Sequence, residues 1–454
     1  MGLKSNIIES VIYANNLQLR AGAPSLSSLH QREFSDHRIR LHLTGTTASA
    51  SLNYSSPLLS STNKRRFLKN AITFFFRTSM AKLPVIIIVF LFSFSISSIV
   101  SNGVQQQLRF DKKKGEFKIL QVADMHYADG SKTPCEDVLP DQFPHCSDLN
   151  TTQFIQRMIK SESPDLIVFT GDNIYGPDTT NPEASMNAAF APAISSNIPW
   201  TAVLGNHDQE STLTRQNVMK HIVQMNHTLS KLNPPGFNLI DGYGNYNLEV
   251  FGTEGSNFAN KSILNLYFLD SGDYSTVPSI PGYGWIKPSQ QLWFLETSKK
   301  LQNNTKAPGL AYFHIPLTEY SNFDSSNFTG VKQEGISSAS VNSGFFSTLM
   351  EAGDVKGVFV GHDHVNDFCG ELTGISLCYG GGFGYHAYGK AGWSRRSRVV
   401  VVSLDEKSKG SWGEVNAIRT WKRLDDENLT VIDDQILWRN NPSGNHGNKG
   451  NSAV

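Results

Sequence analysis

An α/β domain is predicted for this 454-residue chain by three observations. Five short apolar runs, rich in β-branched and aromatic residues, read as buried strands. Each run is followed at once by a turn residue, Asp, Asn or His. A helix-spaced segment separates the first run from the second, which makes a βαβ unit. Its polar loops lie at the carboxyl ends of the strands, where open α/β sheets place ligands.

The elements follow in order along the chain. Phe117 to Val122 is a strand that precedes Asp124-Met125-His126. Thr152 to Lys160 spaces Phe154, Ile155, Met158 and Ile159 at helical intervals, and Ser163-Pro164 stops that helix. Leu166 to Thr170 precedes Gly171-Asp172, and Trp200 to Leu204 precedes Gly205-Asn206-His207-Asp208. Tyr283 to Ile286, followed by Gln290, Gln291 and Trp293, reads as core packing of two tryptophans, Trp285 and Trp293. Leu310 to Phe313 precedes His314, and Val355 to Val360 precedes Gly361-His362-Asp363-His364. Arg398 to Leu404 is a further buried strand, and Ala417 to Leu424 with Leu429 to Ile436 form a last pair.

Ligands at five strand ends can converge on one pair of metal ions. Asp172 has a carboxylate short enough to bridge two cations. Asp124 and His126 reach one ion from a single tight loop, and His364 returns to it. Asn206, His314 and His362 offer amide oxygen and imidazole to the second ion. Mixed carboxylate, amide and imidazole ligation suits Fe, Zn or Mn better than Ca or Mg. Such a pair of ions lowers the pKa of a bridging water and clamps phosphoryl oxygens during in-line displacement. His207 and Asp208 follow the ligand Asn206 and point at substrate, with His207 contacting phosphate or protonating the leaving group and Asp208 orienting its ring.

In this order, Asp-x-His, Gly-Asp, Gly-Asn-His-Asp, a lone His after a strand and Gly-His-x-His resemble the calcineurin-like metallophosphoesterases over about residues 116 to 405. Within them the chain is similar to the plant purple acid phosphatases, in the single-domain branch often named probable inactive. The resemblance implies a two-sheet β-sandwich flanked by helices, a bridging hydroxide as nucleophile and phosphomonoester hydrolysis. Purple acid phosphatases carry Asp-x-Gly in the first block and a Tyr three residues after the second-block Asp. Here His126 replaces that Gly, yet Tyr175 keeps its place after Asp172. Either Tyr175 binds and His126 is displaced, or His126 binds and Tyr175 stands behind it as a phenol. The reading favours His126, and every block keeps its ligand.

Other polar residues have plainer expectations. Gly380 to His386 lacks the spacing and Lys of a P-loop and reads as a glycine-rich turn after a strand. His386, Arg395 and Arg396 are candidates for the substrate pocket or for the surface. His145, His221 and His227 are surface residues, and Asp363 either supports its neighbouring ligands or is solvated.

Composition limits the function classes. With 40 Lys+Arg against 40 Asp+Glu the chain has no basic excess and no nucleic-acid signature. Neither repeats nor heptads are visible. The four cysteines fall in two close pairs, Cys135 with Cys146 and Cys369 with Cys378. Local disulfides fit an oxidising compartment, each worth roughly 2–3 kcal/mol from loop closure, and four reduced thiols fit the cytosol. Sequons at Asn150, Asn226, Asn260, Asn303, Asn327 and Asn428 agree with secretion.

Val85 to Val100, after Met80-Ala81-Lys82-Leu83-Pro84 and before Ser101-Asn102-Gly103, reads as a secretory signal at 80–103. It is short for a membrane span, and the alternatives are a transit peptide or a signal anchor. Residues 1–79 read as a leader without regular structure or an extension ahead of a start at Met80, 104–440 as one catalytic domain, and 441–454 as a disordered tail. The expected destination is the exterior, the cell wall or the vacuole, with a cytoplasmic or membrane-anchored protein as the alternative. Three classes of function remain: a di-metal phosphatase on phosphomonoesters, phosphoproteins among them; a phosphodiesterase or nucleotidase on the same scaffold; and a non-catalytic binding protein.

Overall fold

The computed structural model describes residues 107–440, apart from 236–238, 304 and 325, together with three short strands near the amino terminus. Those strands, β1 (Arg20–Ala21), β2 (Ile39–Leu41) and β3 (Ala48–Leu52), pair antiparallel in the order β1-β3-β2. The rest of 1–79, the expected signal at 80–103 and the expected tail at 441–454 lie outside the described residues. Among those described, no helix is long and apolar enough to cross a membrane.

Two mixed sheets form the body of the unit made by residues 105–454. In the first, β4 (Glu116–Val122), β5 (Leu166–Thr170) and β6 (Trp200–Val203) run parallel, as the βαβ reading requires. Antiparallel β14 (Arg396–Ser408), β15 (Ser411–Leu424) and β16 (Val431–Arg439) continue that sheet from the free edge of β4, giving the order β16-β15-β14-β4-β5-β6.

The second sheet holds β7 (Tyr246–Phe251), β8 (Ser262–Phe268), β9 (Gly309–Tyr312), β10 (Phe328–Thr329), β11 (Val355–Val360), β12 (Cys369–Leu372) and β13 (Ile375–Tyr379). Its order is β10-β12-β13-β11-β9-β8-β7, with β8, β9, β11 and β13 parallel. Ile167, Phe169 and Val400 of the first sheet share one buried cluster with Leu264, Leu310 and Phe359 of the second. The sheets therefore pack face to face as a sandwich, with apolar residues from both inner faces closing the core.

Helices cover the outer faces. The expected helix is α1 (Asp148–Glu162); Ser147 Oγ accepts from the Leu149 amide and Asn150 Oδ1 from the Ser147 amide, so the cap satisfies donors at its first turn. Ser163 ends it at φ 45°, a left-handed stop reinforced by Pro164. With α2 (Pro182–Ser196) and α3 (Arg215–Ile222) it lays Phe154, Met186 and Val218 on the first sheet's core. On the second sheet, α4 (Pro288–Gln302) and α5 (Phe345–Ala352) build a separate cluster around Trp293, Phe294 and Leu349. Trp285 departs from expectation: it is only partly buried, because its ring takes the Lys287 ammonium 3.2 Å from its centre at the start of α4.

Both cysteine pairs are disulfides. Cys135–Cys146 closes the loop between β4 and α1, and Cys369–Cys378 joins directly paired residues of β12 and β13.

Candidate metal centre

Parallel strands point their carboxyl ends the same way, so the five ligand blocks have a common destination. Asp124, Asp172 and Asn206 follow β4, β5 and β6; His314 and His362 follow β9 and β11 of the facing sheet. Gln121 Nε2 ties the two sheets just beneath them, donating to Thr170 Oγ1 and to the Val360 carbonyl at 3.1 Å each. The blocks thus meet at one rim of the sandwich.

Two groups of side chains lie there. Asp124, His126, Asp172 and His364 offer ligand atoms all within 4.8 Å of one another, and so do Asp172, His314 and His362. Asp172 belongs to both: its Oδ2 lies 3.3 Å from His126 Nε2 and 3.2 Å from His314 Nε2. Asn206 Oδ1 stands 3.2 Å from His314 Nε2, which adds the amide to the second group.

The rings are aimed by their other nitrogens. His314 Nδ1 meets the Thr170 carbonyl at 2.9 Å and His364 Nδ1 meets the Tyr388 carbonyl at 2.9 Å. Each contact favours the tautomer that leaves Nε2 free for the centre. Backbone amides hold the carboxylates: His362 N donates to Asp124 Oδ1 at 2.9 Å, and His207 N to Asp172 Oδ1 at 2.8 Å. Asp124, His126, Asp172 and His362 all adopt positive φ, between 46° and 81°. For residues with a Cβ this is a strained conformation, and four instances at one site mark backbone bent to bring ligands inward.

The electrostatics call for cations. Burial pushes the Asp124 carboxyl up to about 8 and the His362 imidazole down to about 3. Burial also opposes charge on Asp172 and His314, yet their mutual attraction holds the carboxyl well below its usual range and lifts the imidazole to about 9. Asp124 Oδ2, His126 Nε2 and His362 Nε2 are buried without any hydrogen-bond partner. Uncompensated buried acceptors of this kind are costly, and metal ligation satisfies all of them at once. The donor set fits a pair of metal ions.

The sequence profile of the calcineurin-like phosphoesterases matches residues 117–366, more than half of the chain. The chain belongs to that family. Its relatives in Arabidopsis thaliana include probable inactive purple acid phosphatase 29, 65% identical over 76% of this chain and 91% of that protein, and probable inactive purple acid phosphatase 14, 55% identical over 74% and 87%. Phosphatase DCR2 of Saccharomyces cerevisiae is 36% identical over 74% of this chain and 58% of its own length. A dimetal phosphatase structure from Danio rerio aligns with TM-score 0.44 and 14% identity over 71% of this chain and 99% of that one.

Around the centre, this calcineurin-like phosphoesterase departs from the sequence reading in several places. His207 is half-buried beside His126, with ring centres 5.3 Å apart, but the carboxylate at its Nδ1 is Glu210 rather than Asp208. Asp208 is buried and fully occupied, accepting from the amides of Asn173, Ile174 and Gly205 and from Asn173 Nδ2, so it braces the loops under the site. Tyr175 stacks on His126 with ring centres 5.3 Å apart, the geometry of a phenol that covers that imidazole.

His386, Arg395 and Arg396 are buried and committed to protein partners. His386 meets the Pro134 carbonyl at 2.9 Å and Asp178 at 3.0 Å. Arg395 donates to the carbonyls of Tyr388, Glu136 and Ala387, and Arg396 pairs with Asp367 at 2.6 Å. None has a free donor set for substrate, and none is a surface residue. Asp363 supports the site from behind, accepting from Tyr379 Oη at 2.5 Å. His145 and His227 are exposed, and His221 faces Asn187 at the surface.

Tyr274 and Tyr283 belong to none of the five ligand blocks, yet they sit at the second group of candidate ligands. Tyr274 Oη lies 3.4 Å from Asn206 Nδ2, and Tyr283 meets His362 edge-on with ring centres 4.3 Å apart. An antiparallel bridge between the two tyrosines brings that loop over the centre. Glu210 alone had a readable signal, three residues after His207.

Proposed function

We propose that this chain is a di-metal phosphomonoesterase. Asp124, His126, Asp172 and His364 would hold one ion, and Asp172, Asn206, His314 and His362 the other. A pair of ions held there would supply a water of lowered pKa and positive charge to neutralise phosphoryl oxygens. His207 stands at the open side of the pair, where its ring contacts the phosphate and delivers a proton to the leaving oxygen. Glu210, at the ring's Nδ1, sets the angle of that ring. Asp208 keeps the turn after β6 rigid, so that Asn206 and His207 diverge, one toward metal and one toward substrate.

The complete and shared ligand set, with Asp172 common to both groups, is the observation that carries this reading. The names of the Arabidopsis relatives favour a second reading, a protein that keeps the site without turnover. The decisive experiment is to purify the protein, measure its metal content, and assay a phosphomonoester and a phosphodiester at about pH 5 and about pH 7. Two bound metals with phosphomonoester hydrolysis support the enzyme. Two bound metals with no hydrolysis of either ester leave the binding protein, and faster diester cleavage moves the activity to phosphodiesters.

The same reading includes passage through the secretory pathway. Two disulfides and exposed sequon asparagines at 226, 260, 303, 327 and 428 support it. Asn150, by contrast, uses its side-chain oxygen in the α1 cap. A shift in mass on enzymatic deglycosylation tests this, and an unmodified chain from a secreting host overturns it.

A further inference from the structure

Outside the metal ligands the mouth of the site is built from tyrosines and acids. Tyr175 stacks on His126, Tyr388 stacks on His364 with ring centres 3.8 Å apart, and Tyr283 meets His362 edge-on. Tyr274 stacks on Tyr283 with ring centres 5.7 Å apart. Tyr274 and Tyr388 are 43% and 39% exposed, so their faces reach solvent at the rim. Two carboxylates sit among these rings. Glu210 lies on His207, and Glu334 Oε2 accepts from Tyr388 Oη at 2.9 Å.

The nearby cations are already engaged. Arg215 is bound by Asp270 and by the Gly205 and Leu204 carbonyls. Arg395 is buried on three carbonyls behind His364, and Lys390 on the neighbouring loop donates to Gln333 Oε1 at 2.6 Å. A substrate's phosphate would be matched by the metals, which leaves this rim to meet the rest of the molecule. Aromatic faces with carboxylates beside them attract ammonium groups and repel further negative charge.

From this rim we infer that the site selects phosphomonoesters whose alcohol portion carries a primary or quaternary ammonium, and discriminates against esters bearing additional phosphates. The inference rests on the phosphomonoesterase reading. Glu334 and Tyr274 are the residues that set the preference, Glu334 by charge and Tyr274 by its exposed ring. Glu210 adds charge while it holds His207.

The test compares kcat/KM of the metal-loaded full chain on phosphocholine, glycerol 3-phosphate and a nucleoside triphosphate. The expected order is phosphocholine first, by about tenfold over glycerol 3-phosphate, with the triphosphate last. The preference shrinks as salt rises from about 20 mM to about 500 mM, because the Debye length falls severalfold. Glu334→Gln and Tyr274→Ala each bring the phosphocholine to glycerol phosphate ratio toward one. Equal rates on all three substrates, or a ratio unmoved by both variants, overturn the inference while leaving the phosphatase intact. If nothing is hydrolysed, the phosphatase reading fails instead. The dissociation constants of phosphocholine and glycerol 3-phosphate, measured by calorimetry on the same metal-loaded protein, then decide the rim by the same tenfold criterion.

Discussion

Gly205 packs so tightly on Asp172 that a Cβ at position 205 would stand 2.1 Å from Asp172 Oδ1 and 2.3 Å from its backbone nitrogen. No rotamer of an added side chain relieves that contact, because a Cβ position is set by the backbone. Gly205→Ala is therefore expected to displace the carboxylate shared by both ligand groups, and metal content by elemental analysis should fall from two ions to one or none. Circular dichroism distinguishes this from unfolding. A folded variant with both ions in place would show that Asp172 does not bridge.

His207, Asp208 and Glu210 should separate by phenotype. His207→Ala is expected to keep its metals and lose about 10²–10⁴ in kcat. Glu210→Gln should lose about tenfold, since it only orients the ring. Asp208→Ala leaves buried amides without an acceptor and should cost about 1–3 kcal/mol for each donor stranded, read as a lower denaturant midpoint. Full activity in His207→Ala removes it from the mechanism.

Asp367 anchors a buried cluster behind the site, with Arg396 Nη1 and Lys422 Nζ both at 2.6 Å and Arg398 donating to its carbonyl at 2.7 Å. Asp367→Asn leaves Arg396 without its carboxylate, while Lys422 keeps only Asp433 at 2.6 Å, and should cost about 3–5 kcal/mol in urea unfolding. Burial works against its charge, but Lys422 and Arg396 hold the Asp367 carboxyl below its usual range. This stabilisation is thus complete above the ordinary carboxylate pKa of about 4 and is lost as pH falls through the lower folded value. A wild-type acid unfolding curve unchanged by the substitution would contradict this.

Asp148 has the opposite sign. Burial raises its carboxyl to about 6, although the amides of Ala128 and Gly130 donate to it at 2.8 and 3.1 Å. Between about pH 4 and the folded value near 6 the native chain holds a proton that the unfolded chain has released, so this contribution to stability declines as pH rises through that window. Asp148→Asn should flatten that slope in a series of Tm measurements from pH 4 to pH 7. A slope identical to the parent's would rule out Asp148 as its source.

Much of the architecture is legible in local pattern. The runs before Asp124, Asp172, Asn206, His314 and His362 are short, β-branched and ended by turn residues, and all five are strands or strand ends at the places expected. Period and punctuation are properties of contiguous residues, so they survive without knowledge of the fold. Arg395 and Arg396 show where this stops. Two adjacent arginines look solvated or substrate-facing in sequence, but the partners that bury them include Asp367 and the Glu136 carbonyl, which come from distant segments.

The glycine run after β13 shows the same boundary. In sequence it is a flexible turn; in the structure a Cβ at Gly384 would stand 1.9 Å from the Met125 carbonyl, so glycine is required where this segment passes the first ligand loop.

By itself, the sequence determined the types of the candidate ligands, their order and their positions at strand ends, because strand periodicity and turn chemistry are local. Only the tertiary structure decided which carboxylate faces His207, that Tyr175 stacks on His126, and that Tyr274 and Tyr283 overhang the second group of ligands. Those contacts join residues whose separation along the chain carries no trace of their distance in space, and packing between two sheets and their loops sets them.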